Sequence, residues 1–287
     1  MERRTFRPDD YEAVCDFLIA LNERDRTHIN WNWARFEWMY EHPECDKSLL
    51  PSVGLWLDGD RIVGAAIYDM YFGEAFAGVL PAYAELYPEV LDYAYQNLRD
   101  ETGLAVAIND RNEAELAAAK QAGFSAVEQT ETIMRIGLDA PLSAALPQAL
   151  HFGTPDPIAD AEALAWLFWQ GFDHGNDRAE FLREESPAPQ VRKHFRKDLG
   201  VAALNEANEP IALCCVWYQP KTDYAYVEPV CTIPAYRGKG VGKAVVYEAL
   251  NRARAMGAKS AYVISDQVFY EKLGFGVTEH YTFCRKP

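Results

Sequence analysis

The residues best suited to chemistry lie together in Val230-Cys231-Thr232-Ile233-Pro234-Ala235-Tyr236-Arg237-Gly238-Lys239-Gly240-Val241-Gly242-Lys243. Three glycines at alternate positions leave the backbone uncovered, so successive N–H groups can approach an anion closely, and a helix beginning there adds positive potential. Arg237, Lys239 and Lys243 add formal charge. A diphosphate is the natural guest. A P-loop would need glycine at 237 and serine or threonine at 244, where this chain has Arg237 and Ala244; a Rossmann turn would need glycine at 243, where it has Lys243.

Arg237-Gly238-Lys239-Gly240-Val241-Gly242, preceded by Thr232-Ile233-Pro234 and followed later by Tyr270-x-x-x-Gly274-Phe275, resembles the coenzyme A pyrophosphate loop of the GNAT (GCN5-related N-acetyltransferase) superfamily. The resemblance covers the whole C-terminal half in element order. It implies acetyl-CoA as acyl-donor cosubstrate and a primary amine, small-molecule or peptidyl, as acceptor. In that family the strand before the loop splays from its neighbour at a bulge and pairs with the pantetheine arm; Val230, Cys231 and Thr232 hold that place, and Arg237 to Lys243 hold the diphosphate. Glu228, nine residues before Arg237, stands where several family members carry the carboxylate that takes the substrate proton. Pro229 cannot donate a ladder hydrogen bond, so interrupted pairing is expected beside it. Tyr270 resembles the tyrosine that protonates the leaving sulfur, and it also suits a core aromatic. Ser265, at the end of a core strand, is a further cofactor-binding candidate, although Ser265-Asp266-Gln267 is a shorter connection than the family often has. Cys231 has no histidine nearby in sequence to activate it, so direct attack by the amine is expected. The rival reading is a non-catalytic acetyl-CoA sensor or scaffold.

Elements that position these residues follow from periodicity. Strands are expected at 3–7, 52–58, 61–70 and 74–80, a helix at 84–100, a strand at 104–108, a helix at 111–122, and strands at 124–128 and 130–137. After a Pro- and Ala-rich stretch, a similar order restarts: strand 149–153, helix 157–171, strands 199–205, 210–218 and 223–232, helix 240–256, strand 260–264, helix 266–273, strands 275–278 and 280–285. Pro81-Ala82-Tyr83 recurs as Pro234-Ala235-Tyr236, and Ala122-Gly123-Phe124 as Leu273-Gly274-Phe275, with 41 residues from Tyr83 to Phe124 and 39 from Tyr236 to Phe275. Two landmarks in order at matched spacing indicate duplication. The expected architecture is an α/β (α+β) fold: two tandem GNAT-like domains, residues 1–138 and 149–287, joined by a linker at 139–148, each a mixed, mostly antiparallel sheet flanked by helices.

Aligning the repeats sets Ala84, Glu85, Tyr87 and Glu89 opposite Arg237, Gly238, Gly240 and Gly242, Ala75 opposite Glu228, and Ala119 opposite Tyr270. Bulk and negative charge replace bare backbone, so the first half is expected to be degenerate. Its segment Trp31-Asn32-Trp33-Ala34-Arg35-Phe36-Glu37-Trp38-Met39-Tyr40 suits either a substrate-shaping surface or a helix packed in the core. In the second half, Asp173, Asp177, Glu184 and Glu185 fall where the family folds over its acceptor, which suits a cationic group.

The chain has 287 residues, 49% of them hydrophobic, and a formal net charge of −15. Two cores fit this length. The negative charge opposes binding to nucleic acid or an anionic membrane and favours a cationic substrate; the run Arg192-Lys193-His194-Phe195-Arg196-Lys197 is read as a solvated face. Six cysteines lack metal-ligand or disulfide-framework spacing, so buried reduced thiols and no metal are expected. The amino terminus lacks a signal-peptide pattern, and no apolar run spans a membrane. A cytoplasmic monomer or homodimer is the expectation.

Overall fold

Val63, Ala65 and Ile67 alternate with Ile62, Ala66 and Tyr68 on two faces that are both buried, the mark of a strand covered on each side. That strand stands in a computed structural model of the chain, which describes residues 1–42, 45–184 and 193–287. Glu185 and Arg192 lie outside the described residues.

The first half runs β1 (Glu2–Thr5), α1 (Tyr11–Leu21), α2 (Trp33–Tyr40), β2 (Gly54–Asp58), β3 (Arg61–Asp69), β4 (Tyr71–Val79), α3 (Tyr87–Asn97), β5 (Leu104–Asn109), α4 (Glu113–Gln121) and β6 (Ser125–Gly137). The second repeats that order: β7 (His151–Gly153), α5 (Ala161–Gly171), α6 (Arg178–Glu184), β8 (Gly200–Leu204), β9 (Pro210–Trp217), β10 (Tyr224–Thr232), α7 (Val241–Ala255), β11 (Ser260–Ile264), α8 (Val268–Lys272) and β12 (Gly276–Lys286). The duplication read from two short landmarks thus extends through every strand and α-helix. Residues 139–148 form no regular element. The Asn251 side chain pins this stretch to α7 through both the N–H and the C=O of Leu142, each at 2.8 Å.

Two strand pairs expected from the sequence are single strands. β6 continues through Gln129 and Thr130, polar residues that carry no turn-forming geometry, and β12 continues through Glu279. Glu279 lies between the two strands expected at 275–278 and 280–285. It is buried and accepts hydrogen bonds from Asn109 Nδ2 at 2.8 Å and Arg111 Nη2 at 2.5 Å.

The chain forms two compact units that do not follow sequence order: Met1–Met134 with Ile264–Tyr270 and Gly276–Pro287, and Arg135–Val263 with Glu271–Phe275. In the first, the strands run β1-β2-β3-β4-β5-β12-β6, with β4 parallel to β5 and β12 antiparallel to β5 from Tyr281↔Asn109 to Lys286↔Leu104. Gly103, at φ 110°, is required by this closure, because a Cβ there would overlap the backbone of Lys286 and Pro287. Trp33, Trp56 and Tyr68 centre its core. The aromatic segment belongs to that core: Trp31, Trp33, Phe36 and Met39 are buried, and Asn32 caps α2 by accepting from the amides of Ala34 and Arg35.

In the second unit the order is β11-β10-β9-β8-β7, antiparallel except for the β10–β11 pair. Helix α7 buries Val241, Ala244, Val245, Ala249 and Leu250, spaced at three and four residues, against β8, β9 and β10. Each of the valines and the leucine contributes about 1.5–3 kcal/mol, so the helix start is held where β10 ends. Among the described residues, no helix is long and apolar enough to cross a membrane. All six cysteines are buried thiols outside any disulfide.

Candidate active site

β10 pairs with β11 only from Tyr224 to Tyr226, against Ser260 to Tyr262, and then runs on to Thr232. Beyond Tyr226 the two strands have parted. On its other edge β10 stays with β9, but the register slips between Val227 and Val230, where Glu228 and Pro229 form a bulge. The interruption expected beside Pro229 is therefore present. Among the described residues, the β11 register does not extend to Val230, Cys231 and Thr232, which remain held on the other edge by Cys214, Leu213 and Ala212.

Thr232 leads into a single 3₁₀ turn, Pro234–Tyr236, and then into the glycine-rich loop. Gly238 and Gly240 have φ of 72° and 81°, the left-handed region in which a side chain costs roughly 1–2 kcal/mol. An added Cβ at either would meet nothing within 4 Å, so the space beside both is open. The first backbone bond onto this turn of α7 comes from Ala244 N to Gly240 O at 3.0 Å. Among the described residues, the amides from Gly238 to Lys243 donate to no backbone acceptor outside the helix's own ladder. A run of open amides at a helix start, with Lys239 and Lys243 beside it, fits an anionic diphosphate.

The charged side chains are arranged differently from the expectation based on charge alone. The Arg237 guanidinium turns back from the loop: Nε donates to Thr232 O at 3.0 Å, Nη2 to Gly171 O at 2.7 Å, and Nη1 pairs with Asp173 at 2.9 Å. It ties the loop to the end of α5. Asp173 is thereby engaged, and Asp177 caps α6 by accepting from the amides of Ala179 and Glu180. Two of the acids expected to face a cationic acceptor are thus used within the fold. Likewise Arg196 pairs with Asp198 at 2.6 Å and Lys197 with Asp156 at 3.0 Å, both exposed, as a solvated face would show.

Glu228 is half-buried at the bulge. Its Oε2 accepts the Tyr226 hydroxyl at 2.6 Å, and its carbonyl accepts Trp217 Nε1 at 2.8 Å. Neither partner was identified from the sequence. Tyr226 was within reach of such a reading, because residues two apart on a strand share a face. Gly171, the last residue of α5, packs so closely on β10 that a Cβ there would lie 2.8 Å from Cys231 Cβ and 3.0 Å from Cys231 Sγ. Burial first, and the neighbouring Cys215 second, push the Cys231 thiol up to about 12. At neutral pH it is a protonated thiol.

Ser265 and Tyr270 belong to the first compact unit. Ser265 N donates to Thr132 O at 2.9 Å, and its hydroxyl accepts from Gln267 N at 3.1 Å. Tyr270 is buried, with its ring edge-on to Phe269 at 5.0 Å.

In the first half, β4 pairs with β5 only at Glu74 and Ala75 and then parts from it, so the splay is duplicated. The loop is not. Pro81–Leu86 is 3₁₀-helical and runs directly into α3, Pro88 has no N–H to offer, and Glu89 accepts from Trp56 Nε1 at 2.9 Å.

A splayed parallel strand pair thus feeds a glycine-rich helix start within a mixed sheet. Residues 161–275 match the acetyltransferase (GNAT) family model. Among solved structures, it is similar to a tandem GNAT protein from the clavulanic acid biosynthesis pathway (15% identity, TM-score 0.63, 99% of this chain and 98% of that one). It is also similar to a GCN5-related N-acetyltransferase from Sphaerobacter thermophilus (16%, 0.58, 99% and 95%) and to a GNAT-family acetyltransferase from Colwellia psychrerythraea (12%, 0.59, 100% and 100%). At such identities these likenesses show the fold.

Proposed function

We propose that the chain transfers an acetyl group from acetyl-CoA to a primary amine by direct attack, with residues 149–287 supplying the coenzyme-binding module. The observation that carries this reading is the splayed end of β10 leading into the open amides of Gly238 to Lys243. Acetyl-CoA supplies the activated thioester. The loop amides hold its diphosphate, and the free edge at Val230, Cys231 and Thr232 receives the pantetheine arm. Glu228 takes a proton from the incoming ammonium, directly or through water, and the Tyr226 hydroxyl steadies its carboxylate. Attack of the neutral amine on the acyl carbon forms the C–N bond as the C–S bond breaks; Tyr270 gives a proton to the departing sulfur and is reprotonated by the second proton that the acylated nitrogen sheds, and Glu228 releases its own proton to solvent. A phenol of pKa about 10 and a thiol of about 8.5 are close enough for that transfer once hydrogen-bonded.

Calorimetric titration with acetyl-CoA tests the loop: one site per chain is expected, and Gly240→Glu should abolish it. Retained binding in that variant would remove the loop from the proposal. Thiol release with a panel of primary amines tests the chemistry. Tyr270→Phe should lower turnover by about 10²-fold while leaving acetyl-CoA affinity unchanged. Binding without amine-dependent thiol release would support a sensor instead.

A further inference from the structure

The first half keeps the splay of its sheet but not the phosphate loop, and the space is not filled in. A cleft of about 350 Å³ remains at the end of β4, bounded by the 3₁₀ turn, the start of α3 and the first turns of α4. Val79, Ala84 and Tyr87 give it apolar walls, and Asp25, Glu85 and Glu115 give it carboxylates. Among the described residues, no lysine or arginine lines it. The only lining group able to carry positive charge is His28, whose Nε2 lies 3.0 Å from Glu115 Oε1. Thr27 Oγ1 lies 3.2 Å from the other ring nitrogen of His28 and donates to Asp25 Oδ1, so Asp25 is tied to this group while the exposed Glu85 adds a further negative charge at the mouth.

A second, smaller cavity of about 10 Å³ shares Leu21 and His28 with the cleft and is lined by Asn30 and Trp31. Those two residues are 2% and 3% exposed, and Asn30 Nδ2 and Trp31 Nε1 find no partner in the protein. A buried N–H without an acceptor leaves its desolvation uncompensated. Two at one cavity, of a size for a single oxygen atom, indicate a place for an acceptor group.

We propose that this cleft is a second ligand site, selective for a small organic ammonium ion that carries an oxygen acceptor at its far end, and closed to coenzyme A. The ammonium meets Glu85 and Asp25 at the mouth, the body lies on Val79, Ala84 and Tyr87, and the oxygen reaches the donors of Asn30 and Trp31. Coenzyme A is refused because the segment opposite the phosphate loop presents Glu85, Tyr87 and the N–H-less Pro88 instead of open amides.

The test uses the full chain and tyramine, which has a primary ammonium, an aromatic body and a distal hydroxyl oxygen. Calorimetry should show tyramine binding that weakens about tenfold in Glu85→Gln, a substitution at an exposed position, through loss of one charge-assisted contact. It should vanish in Ala118→Trp, which fills the cleft, while acetyl-CoA keeps one site per chain in both variants. No tyramine binding by the wild type, an isotherm unchanged in both variants, or a second acetyl-CoA site lost in Ala118→Trp would each overturn the proposal. Acetyl-CoA heats are read separately, so failure of the transfer reading is distinguishable from failure of this one.

Discussion

At the residue scale, Glu228 is held by its own strand. The Tyr226 hydroxyl donates to its carboxylate and Trp217 holds its carbonyl, so the carboxylate proposed as the proton acceptor has a defined direction. Tyr226→Phe should therefore lower kcat by roughly tenfold with little change in acetyl-CoA affinity; an equal loss of binding would assign Tyr226 to the strand's integrity instead. His28 carries a second prediction. Burial opposes protonation of its ring, but the Glu115 carboxylate outweighs burial by charge and hydrogen bond, and the pKa lies above 6.5. A group whose pKa is raised by folding stabilises the folded state fully below its unfolded pKa, and that contribution is lost as pH rises through the folded value. The melting temperature of the wild type should accordingly fall relative to His28→Gln as pH is raised above the ordinary histidine range. Parallel profiles would show that the pair is neutral in the folded protein.

At the element scale, the loop is positioned by what lies behind it. α7 is anchored by its apolar face, α5 approaches β10 at Gly171, and Arg237 ties both to the end of β10. Gly171→Ala should push on Cys231, costing about 1–3 kcal/mol in urea unfolding as overpacking does, and should weaken acetyl-CoA binding because the shifted strand carries the loop. A stability loss without any change in affinity would show that the loop is independent of α5.

At the scale of the whole molecule, the last strand serves the first unit. β12 supplies buried Tyr281, Phe283 and Cys284 and covers β5 along six residue pairs. Ending the chain at Phe275 should therefore unfold the first unit, although no first-half residue is missing. Losing large aromatics from a core costs about 3–5 kcal/mol each, against an ordinary stability of about 5–15. Calorimetric melting and limited proteolysis would read this as loss of one transition and cleavage within 1–134, whereas an intact first unit would place its stability in β1 to β5 alone.

The glycine-rich loop, the interrupted strand, the repeated order of elements and the missing loop in the first half were legible in the sequence because each rests on local chemistry. Glycines at positive φ, a proline that cannot donate, and repeated landmarks are properties of a few neighbouring residues. Element positions were legible for the same reason wherever alternation or helical spacing was clean, and less so in β6 and β12, where polar residues sit inside continuous strands. What only the tertiary structure decided are pairings between distant residues: Arg237 with Gly171 and Asp173, Asn251 with the linker, and the aromatic segment within the core. The same holds for β12, whose sequence repeats the second half but whose hydrogen bonds lie in the first unit. Such pairings depend on which unfilled edge or unsatisfied group a segment meets in space, and periodicity along the chain carries no record of that.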